Sequence, residues 1–205
     1  MIIHFFRVAI AAVALAALVM LGRSLWLRIH SEERVVISGS PKTEIEAEHV
    51  ARYEFAKQFC AGKRVADIAC GSGYGMKILR EVARSVEGYD RERLGQRYVI
   101  DLEKQSWPET YDVIVSFETI EHLENPEFFL ANAARSAPLL ILSTPLNERL
   151  GWSTPYHKQA WTKEHIASLL ERFFSCSYYN QRGTSITPAP ALDSRCLVAV
   201  CVAKG

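Results

Sequence analysis

The sequence lacks an excess of charge of either sign. Lys and Arg number 24 against 23 Asp and Glu in 205 residues, so no basic field drives tight non-specific binding to nucleic acid. Paired C-x-x-C spacing is also missing. The five cysteines, Cys60, Cys70, Cys176, Cys196 and Cys201, read as reduced thiols of a cytosolic chain and not as a zinc knuckle or a disulfide frame. There is no internal repeat, and no low-complexity segment apart from the apolar N-terminus. What is present, 49% hydrophobic and 23% charged residues, describes one globular domain of ordinary size with a real core, plus something extra.

The extra part is the N-terminus. Val8 to Gly22 carries no charge, with Arg7 before it and Arg23 and Arg28 after. At about 1.5 Å per helical residue that run alone falls short of the roughly 30 Å hydrocarbon core. Ile2 to Leu27 would reach, with Arg7 snorkelling to the interface. The expectation is a membrane anchor over 1–30 and a polar linker over 31–40, with a domain from 41 to 205 on the cytoplasmic side, where the arginines after the span tilt it. A cleaved secretory peptide, a core helix and a start at Met20 are the alternatives, the last giving a cytoplasmic chain.

The organising stretch is Val65-Ala66-Asp67-Ile68-Ala69-Cys70-Gly71-Ser72-Gly73-Tyr74-Gly75. A short apolar run closed by an acid, then alternating glycines, then a helix-compatible stretch from Met76 to Ala83, reads as a buried strand, a tight turn and a helix start. Glycines there allow positive φ and close approach of the backbone to a ligand, and the free amides of a helix start attract negative charge. The spacing is one residue tighter than the dinucleotide fingerprint G-x-G-x-x-G, which disfavours a pyrophosphate and with it a nicotinamide oxidoreductase. Asp67 would repel a phosphate but suits a cationic amine, so the implied ligand carries an amino acid moiety as well as a ribose.

Around this turn the chain alternates strands and helices. Thr43 and Glu46 form a capping box for a helix running to about Cys60, with Ile45, Ala56 and Phe59 in its apolar stripe. His49 and Tyr53 share one face of it, either as packing or as a lid over the ligand. A second strand ends at Asp90, where a carboxylate can accept hydrogen bonds from both ribose hydroxyls. Arg97 to Asp101 reads as a third strand, too close to Asp90 for a full crossover helix. Tyr111 to Ser116 and Leu139 to Ser143 are apolar, as central parallel strands are. Asn125 with Pro126, and Thr162, open two further helices. Ser175 to Gln181 and Arg195 to Ala203 read as two closing strands joined by a Pro-rich loop. The fold class is therefore α/β, a doubly wound and mostly parallel sheet whose ligands sit at the carboxyl ends of the strands.

Several separated motifs now align in order: Glu46-Ala47-Glu48-His49 with Ala51-Arg52-Tyr53, then Asp67 to Gly75, then Gly88-Tyr89-Asp90. Ser116-Phe117-Glu118-Thr119-Ile120-Glu121-His122-Leu123, Leu142-Ser143-Thr144-Pro145, Tyr156-His157 and Trp161-Thr162 come after them. Residues 41–205 resemble the class I S-adenosylmethionine-dependent methyltransferases, and more narrowly the type-11 methyltransferase family. The resemblance implies a seven-stranded-type, Rossmann-like sheet, from which the shortened second crossover is a departure, and the N-terminal hydrophobic helix precedes it. It also implies that Gly71 and Gly73 line S-adenosyl-L-methionine, Asp67 lies near its amine and Asp90 holds its ribose. Asp101 and Leu102 would border the adenine, and Phe117 the methionine end. Ser136-Ala137-Pro138 replaces the family's usual Pro-Gly-Gly turn.

Methyl transfer from a sulfonium needs an aligned acceptor relieved of its proton, and positioning can supply much of the rate. Glu118, Glu121 and His122 stand at i, i+3 and i+4, on one face if this is the opening turn of a helix. His157 comes from the loop after the fifth strand. These four are a candidate site for Mg²⁺ or Mn²⁺, and resemble the metal set of small-RNA terminal 2′-O-methyltransferases. His122 or His157 acting alone as general base is the metal-free alternative. A charged helix start with no chemical role is the third.

The expected function is O-methylation of a glycan, lipid or quinone-like small molecule at the cytoplasmic face of a membrane. A metal-dependent RNA ribose 2′-O-methyltransferase is the rival, against which the missing basic stripe weighs. A cofactor-binding scaffold without catalysis is the other. Acceptor identity rests with the variable loops and the N-terminal helix of the domain.

Overall fold

In the computed structural model of the chain, the residues described are 35–91, 98–147, 150, 155–189 and 194–205. The anchor read in residues 1–30 lies outside them. Among the described residues, no helix is long and apolar enough to cross a membrane.

Among the described residues, thirteen elements succeed one another. Helix α1 (Glu44–Cys60) precedes strand β1 (Arg64–Ile68), helix α2 (Tyr74–Leu79), and strands β2 (Ser85–Asp90), β3 (Tyr98–Val99) and β4 (Val113–Phe117). A 3₁₀ turn (Ile120–His122), helix α3 (Pro126–Ser136), strand β5 (Leu139–Pro145) and helix α4 (Lys163–Leu170) come next. Strands β6 (Phe174–Arg182), β7 (Ser185–Pro188) and β8 (Cys196–Ala203) close the chain. They form one eight-stranded sheet in the order β3-β2-β1-β4-β5-β8-β6-β7. The first five are parallel, and β8, β6 and β7 are each antiparallel to their neighbours. The doubly wound sheet is thus the one expected, with one more strand than the resemblance implies.

Period-2 alternation distributes the core over both faces. Val65 of β1, Val113, Val115 and Phe117 of β4, and Ile141 of β5 pack with Tyr53, Ala56 and Met76 beneath α1 and α2. Ala66, Ile68, Ile114, Leu140 and Leu142 point the other way, to Phe129 and Leu130 of α3 and Ile166 and Leu170 of α4. Asp67 shares the parity of Val65, which aims it at α1.

Local capping sets the helix starts. The Thr43 side chain accepts from the Glu46 amide at 3.1 Å, and Glu46 reaches back to the Lys42 amide at 2.5 Å, a capping box shifted by one residue at its return arm. Asn125 accepts from the Phe128 amide, with Pro126 opening α3, and Thr162 accepts from the His165 amide. Ile45 is 61% exposed and not part of the stripe of α1. The helix buries Arg52, Tyr53, Ala56 and Cys60 instead.

Two further expectations are corrected. Cys176 and Cys201 are opposite one another in the β6–β8 ladder and form a disulfide. They are not reduced thiols, because strand register brings together two cysteines that lie 25 residues apart in sequence. The closing strands also do not follow one another directly. Gly183, with φ of 56°, turns β6 into the hairpin strand β7. The short crossover is borne out by the pairing it leaves, two residues of β3 beside β2, Tyr89 to Tyr98 and Asp90 to Val99.

Candidate functional site

The strand order reverses between β1 and β4, and the carboxyl ends of these strands flank a crevice of the kind that binds ligands in open α/β sheets. At the end of β1 the chain turns through Ala69 (φ 61°), Gly71 (φ 54°) and Gly73 (φ 80°) before entering α2. The Gly73 amide donates to the Cys70 carbonyl at 2.9 Å, and the Cys70 amide to the Tyr89 carbonyl at 3.0 Å. Asp90, at the end of β2, accepts from the Gly71 amide at 2.8 Å. Two of the residues predicted for the cofactor, on adjacent strand ends, are thereby joined directly.

Asp67 is fully buried and accepts from the Tyr53 hydroxyl at 3.1 Å. Burial raises its pKa from the ordinary aspartate range. The Tyr53 bond opposes this, the Asp90 charge adds to it, Arg80 opposes it, and the outcome is about 8. Phe117 closes β4 with its ring 4.9 Å from that of Tyr53, edge to face. One strand beyond Asp90, the Asp101 carboxylate accepts from the Glu103 amide at 3.0 Å and pairs with Lys104 at 3.1 Å. Leu102 is half-buried against the core of α3 and α4. Glu103 caps the start of α3 by accepting from the Glu124 and Asn125 amides.

On the acceptor side the predicted residues separate into two groups. Glu118 does not stand on a helix face with Glu121 and His122. Its φ of 49° swings it out of line with them. Its carboxylate meets the Arg52 guanidinium at 3.3 Å, accepts from the Ser143 hydroxyl at 2.7 Å, and lies 3.7 Å from the Cys196 thiol. Burial opposes ionisation of Glu118, but Arg52 and the Ser143 bond outweigh it and hold the carboxyl below its ordinary value. Arg52 in turn donates through Nε to Gln181 of β6 at 2.6 Å. Beside it, burial and the Arg52 charge push His49 down to about 4, despite the Glu118 charge, so its ring is neutral. Its Nδ1 is 2.9 Å from the Tyr74 hydroxyl.

Glu121, His122 and His157 do come together. One ligand atom from each lies within 4.8 Å of the others, a grouping with the donor set of a divalent metal site. Glu121 is fully buried and accepts from Thr144 Oγ1 of β5 at 3.0 Å. Its backbone carbonyl accepts from the Lys158 and Gln159 amides at 2.7 and 3.0 Å, which clamps the loop carrying His157 against the 3₁₀ turn. The His122 and His157 rings stand 4.7 Å apart, nearly perpendicular. His122 Nδ1 is 3.2 Å from the Tyr156 carbonyl. A carbonyl only accepts, so Nδ1 carries a proton, and the other ring nitrogen, Nε2, lies 3.9 Å from Glu121 Oε1.

Sequence reasoning missed Arg52, Gln181, Ser143 and Thr144. Arg52 left a signal as a cation on α1 next to Tyr53, and Ser143 and Thr144 as part of a motif with no role assigned to them. Gln181, Ser143 and Thr144 are polar residues inside strands, and their contacts needed the register to be seen.

A cradle of two left-handed glycines, a buried carboxylate that pairs with no cation among the described residues, and a second carboxylate on the next strand fit an adenosyl amino acid. The fold is that of the class I S-adenosylmethionine-dependent methyltransferases. The signature of the methyltransferase-domain family matches residues 46–191, and the chain belongs to that family. It is similar to a probable S-adenosylmethionine-dependent methyltransferase of Mycolicibacterium smegmatis, 28% identical over 145 residues, covering 60% of this chain and 56% of the relative. A probable S-adenosylmethionine-dependent methyltransferase of Mycobacterium tuberculosis is 28% identical over 144 residues, covering 60% and 52%. The chain thus spans about half the length of the curated relatives it matches.

Among solved structures, a TehB-like SAM-dependent methyltransferase from Corynebacterium glutamicum superposes with a TM-score of 0.61 at 18% identity, covering 92% of this chain and 100% of that one. The N-methyltransferase NodS from Bradyrhizobium japonicum, solved with S-adenosyl-L-homocysteine, gives 0.59 at 14% identity, covering 81% and 90%. At these identities the likeness concerns the fold.

Proposed function

We propose that the chain transfers the methyl group of S-adenosylmethionine to a hydroxyl of a small molecule, glycan, lipid or quinone-like acceptor. The observation that carries this reading is the imidazole pair of His122 and His157, held beside the buried carboxylate of Glu121. S-adenosylmethionine supplies, when bound, an electrophilic methyl on a sulfonium. In this reading Asp67 receives the amine, Asp90 the ribose hydroxyls, and Asp101 with Leu102 borders the adenine. Gly71 and Gly73 let the backbone approach, and Phe117 shields the methionine end.

His122, protonated at Nδ1 by its bond to the Tyr156 carbonyl, accepts the acceptor's proton at Nε2. His157 packs against that ring and limits its rotation. The neutral His49, Tyr74 and the Arg52–Glu118 pair form the wall beneath α1. The apolar run from 8 to 22 supports a place at the inner face of a membrane, which fractionation of the full chain checks.

The test is turnover against a panel of hydroxyl acceptors, with S-adenosylhomocysteine binding measured in parallel. Changing His122 to Ala should lower kcat about 10²- to 10⁴-fold and leave cofactor affinity unchanged. Asp90→Ala should weaken affinity roughly tenfold or more, as expected for lost charge-assisted bonds. Binding without turnover on every acceptor class would favour a scaffold.

The three-ligand cluster supports a second reading, in which Glu121, His122 and His157 hold Mg²⁺ or Mn²⁺. Such an ion would supply Lewis acidity toward an acceptor hydroxyl, and RNA ribose is the acceptor to add to the panel. Turnover unaffected by chelation and ion replacement would sink it.

A further inference from the structure

If Asp67 receives the cofactor's amine, and the inference rests on that reading, then the protonation state of this buried carboxyl decides how binding responds to pH. Among the described residues, the hydrogen bonds to the Asp67 carboxylate both come from the Tyr53 hydroxyl, at 3.1 and 3.3 Å. Titratable groups face it from the elements packed around it: Tyr53 and Cys60 from α1, Tyr74 from α2, Arg80 just after it, and Asp90 from β2. Arg80 is the single cation in that set. Its guanidinium is directed to Met76 Sδ at 3.8 Å and the Val86 carbonyl at 3.5 Å, not to Asp67. A carboxylate closed off from water, with no cation bonded to it among the described residues and a second carboxylate nearby, is driven toward its neutral acid. Burial is the first cause of its rise to about 8.

Tyr53 is held rigidly. Its ring is edge to face with Tyr74 at 5.4 Å and with Phe117 at 4.9 Å, and it rests on the bare Cα of Gly75. The hydroxyl therefore has a fixed bearing on Asp67.

We propose that the cofactor-free site holds Asp67 as a carboxylic acid, that binding of the cofactor's ammonium expels its proton to solvent, and that Tyr53 is the positioning residue that tunes this exchange. The O–H bond of the acid breaks, its electron pair stays on the carboxylate, and the proton leaves to buffer. The ammonium keeps all its protons and forms the ion pair. Because the Tyr53 hydroxyl donates to the ionised form, it makes the proton easier to lose.

Isothermal titration of the full chain with S-adenosylhomocysteine, in two buffers of different ionisation heat, counts the protons released. About 0.9 proton should leave at pH 7, and affinity should be roughly fiftyfold weaker at pH 6 than at pH 8. Tyr53→Phe keeps the ring and removes the donor, so the whole profile should move to higher pH. Asp67→Asn should flatten it and release no proton. Tight wild-type binding with no proton release and the same affinity at pH 6 and 8 would overturn the proposal. A Tyr53→Phe profile that is weaker by one constant factor at every pH would reduce Tyr53 to packing and overturn its tuning role. No binding at any pH would overturn the cofactor reading itself, and this one with it.

Discussion

The ring of Tyr53 fills the space in which residue 75 would carry a side chain: a Cβ on Gly75 would stand 2.0 Å from Tyr53 Cζ. The last glycine of the turn is thus explained by a neighbour on α1 and not by a ligand. Gly71 and Gly73, both left-handed, are the ones that shape the turn.

Gly75→Ala should therefore dislodge Tyr53 from Asp67. Overpacking of this kind costs about 1–3 kcal/mol, to be read as a fall in Tm together with weaker S-adenosylhomocysteine binding. Adding Tyr53→Ala should restore part of the lost Tm, because it removes the clashing ring. Equal losses in the single and double variants would show that the contact is not the cause.

Glu118 and His157 should behave differently toward ions. Glu118→Gln leaves Glu121, His122 and His157 intact, so Mn²⁺ affinity measured by titration should stay at the wild-type value. Its stability should fall by up to about 3 kcal/mol, since Arg52 loses its buried partner. His157→Ala should reduce Mn²⁺ affinity tenfold or more. Loss of ion binding in the Glu118 variant would return that residue to the ligand set.

The cofactor-free protein should lose stability as pH rises toward 8. Asp67, with its pKa raised to about 8, stays protonated in the fold while the unfolded chain has already ionised, so the folded state binds the extra proton. Stability then declines by at most about 1.4 kcal/mol per pH unit, starting near the ordinary aspartate value and levelling off above about 8. His49, lowered to about 4, works in the opposite sense: the unfolded chain binds its proton first, so stability rises with pH up to about 6.5. The window between about 6.5 and 8 isolates Asp67. Thermal melts across it should slope downward in the wild type and lie flat in Asp67→Asn.

Under non-reducing conditions, peptide mapping should recover Cys176 linked to Cys201, with Cys60, Cys70 and Cys196 as free thiols. Cys201→Ser should lower stability by about 2–4 kcal/mol, the usual range for a loop of this length. Alkylation of all five cysteines in the native oxidised protein would refute the link.

The strand, glycine turn and helix from Arg64 to Leu79 are legible in the sequence because their signals are local: an apolar run, glycines at fixed offsets and a helix-compatible stretch. The same holds for the capped starts of α1, α3 and α4. Reading Glu118-x-x-Glu121-His122 as one helical face fails because β4 continues to Phe117 and the chain turns sharply at Glu118. Spacing of three and four carries its meaning only inside a helix. Strand β7 escapes the sequence although Gly183 marks its turn, since the residues after it lack strong alternation. The disulfide and the Arg52–Gln181 bond join distant segments: the β8–β6 register brings the two cysteines together, and the packing of α1 against β6 brings Arg52 to Gln181.

Helix α1 reaches both halves of the crevice, through Tyr53 to Asp67 on β1 and through Arg52 to Gln181 on β6. Any fragment begun after Ala61 would uncover Phe117 and Met76, open Asp67 to water and leave Glu118 without its counter-ion. Limited proteolysis that nicks the chain between Thr43 and Lys63 should consequently silence cofactor capture and acceptor recognition in a single cut.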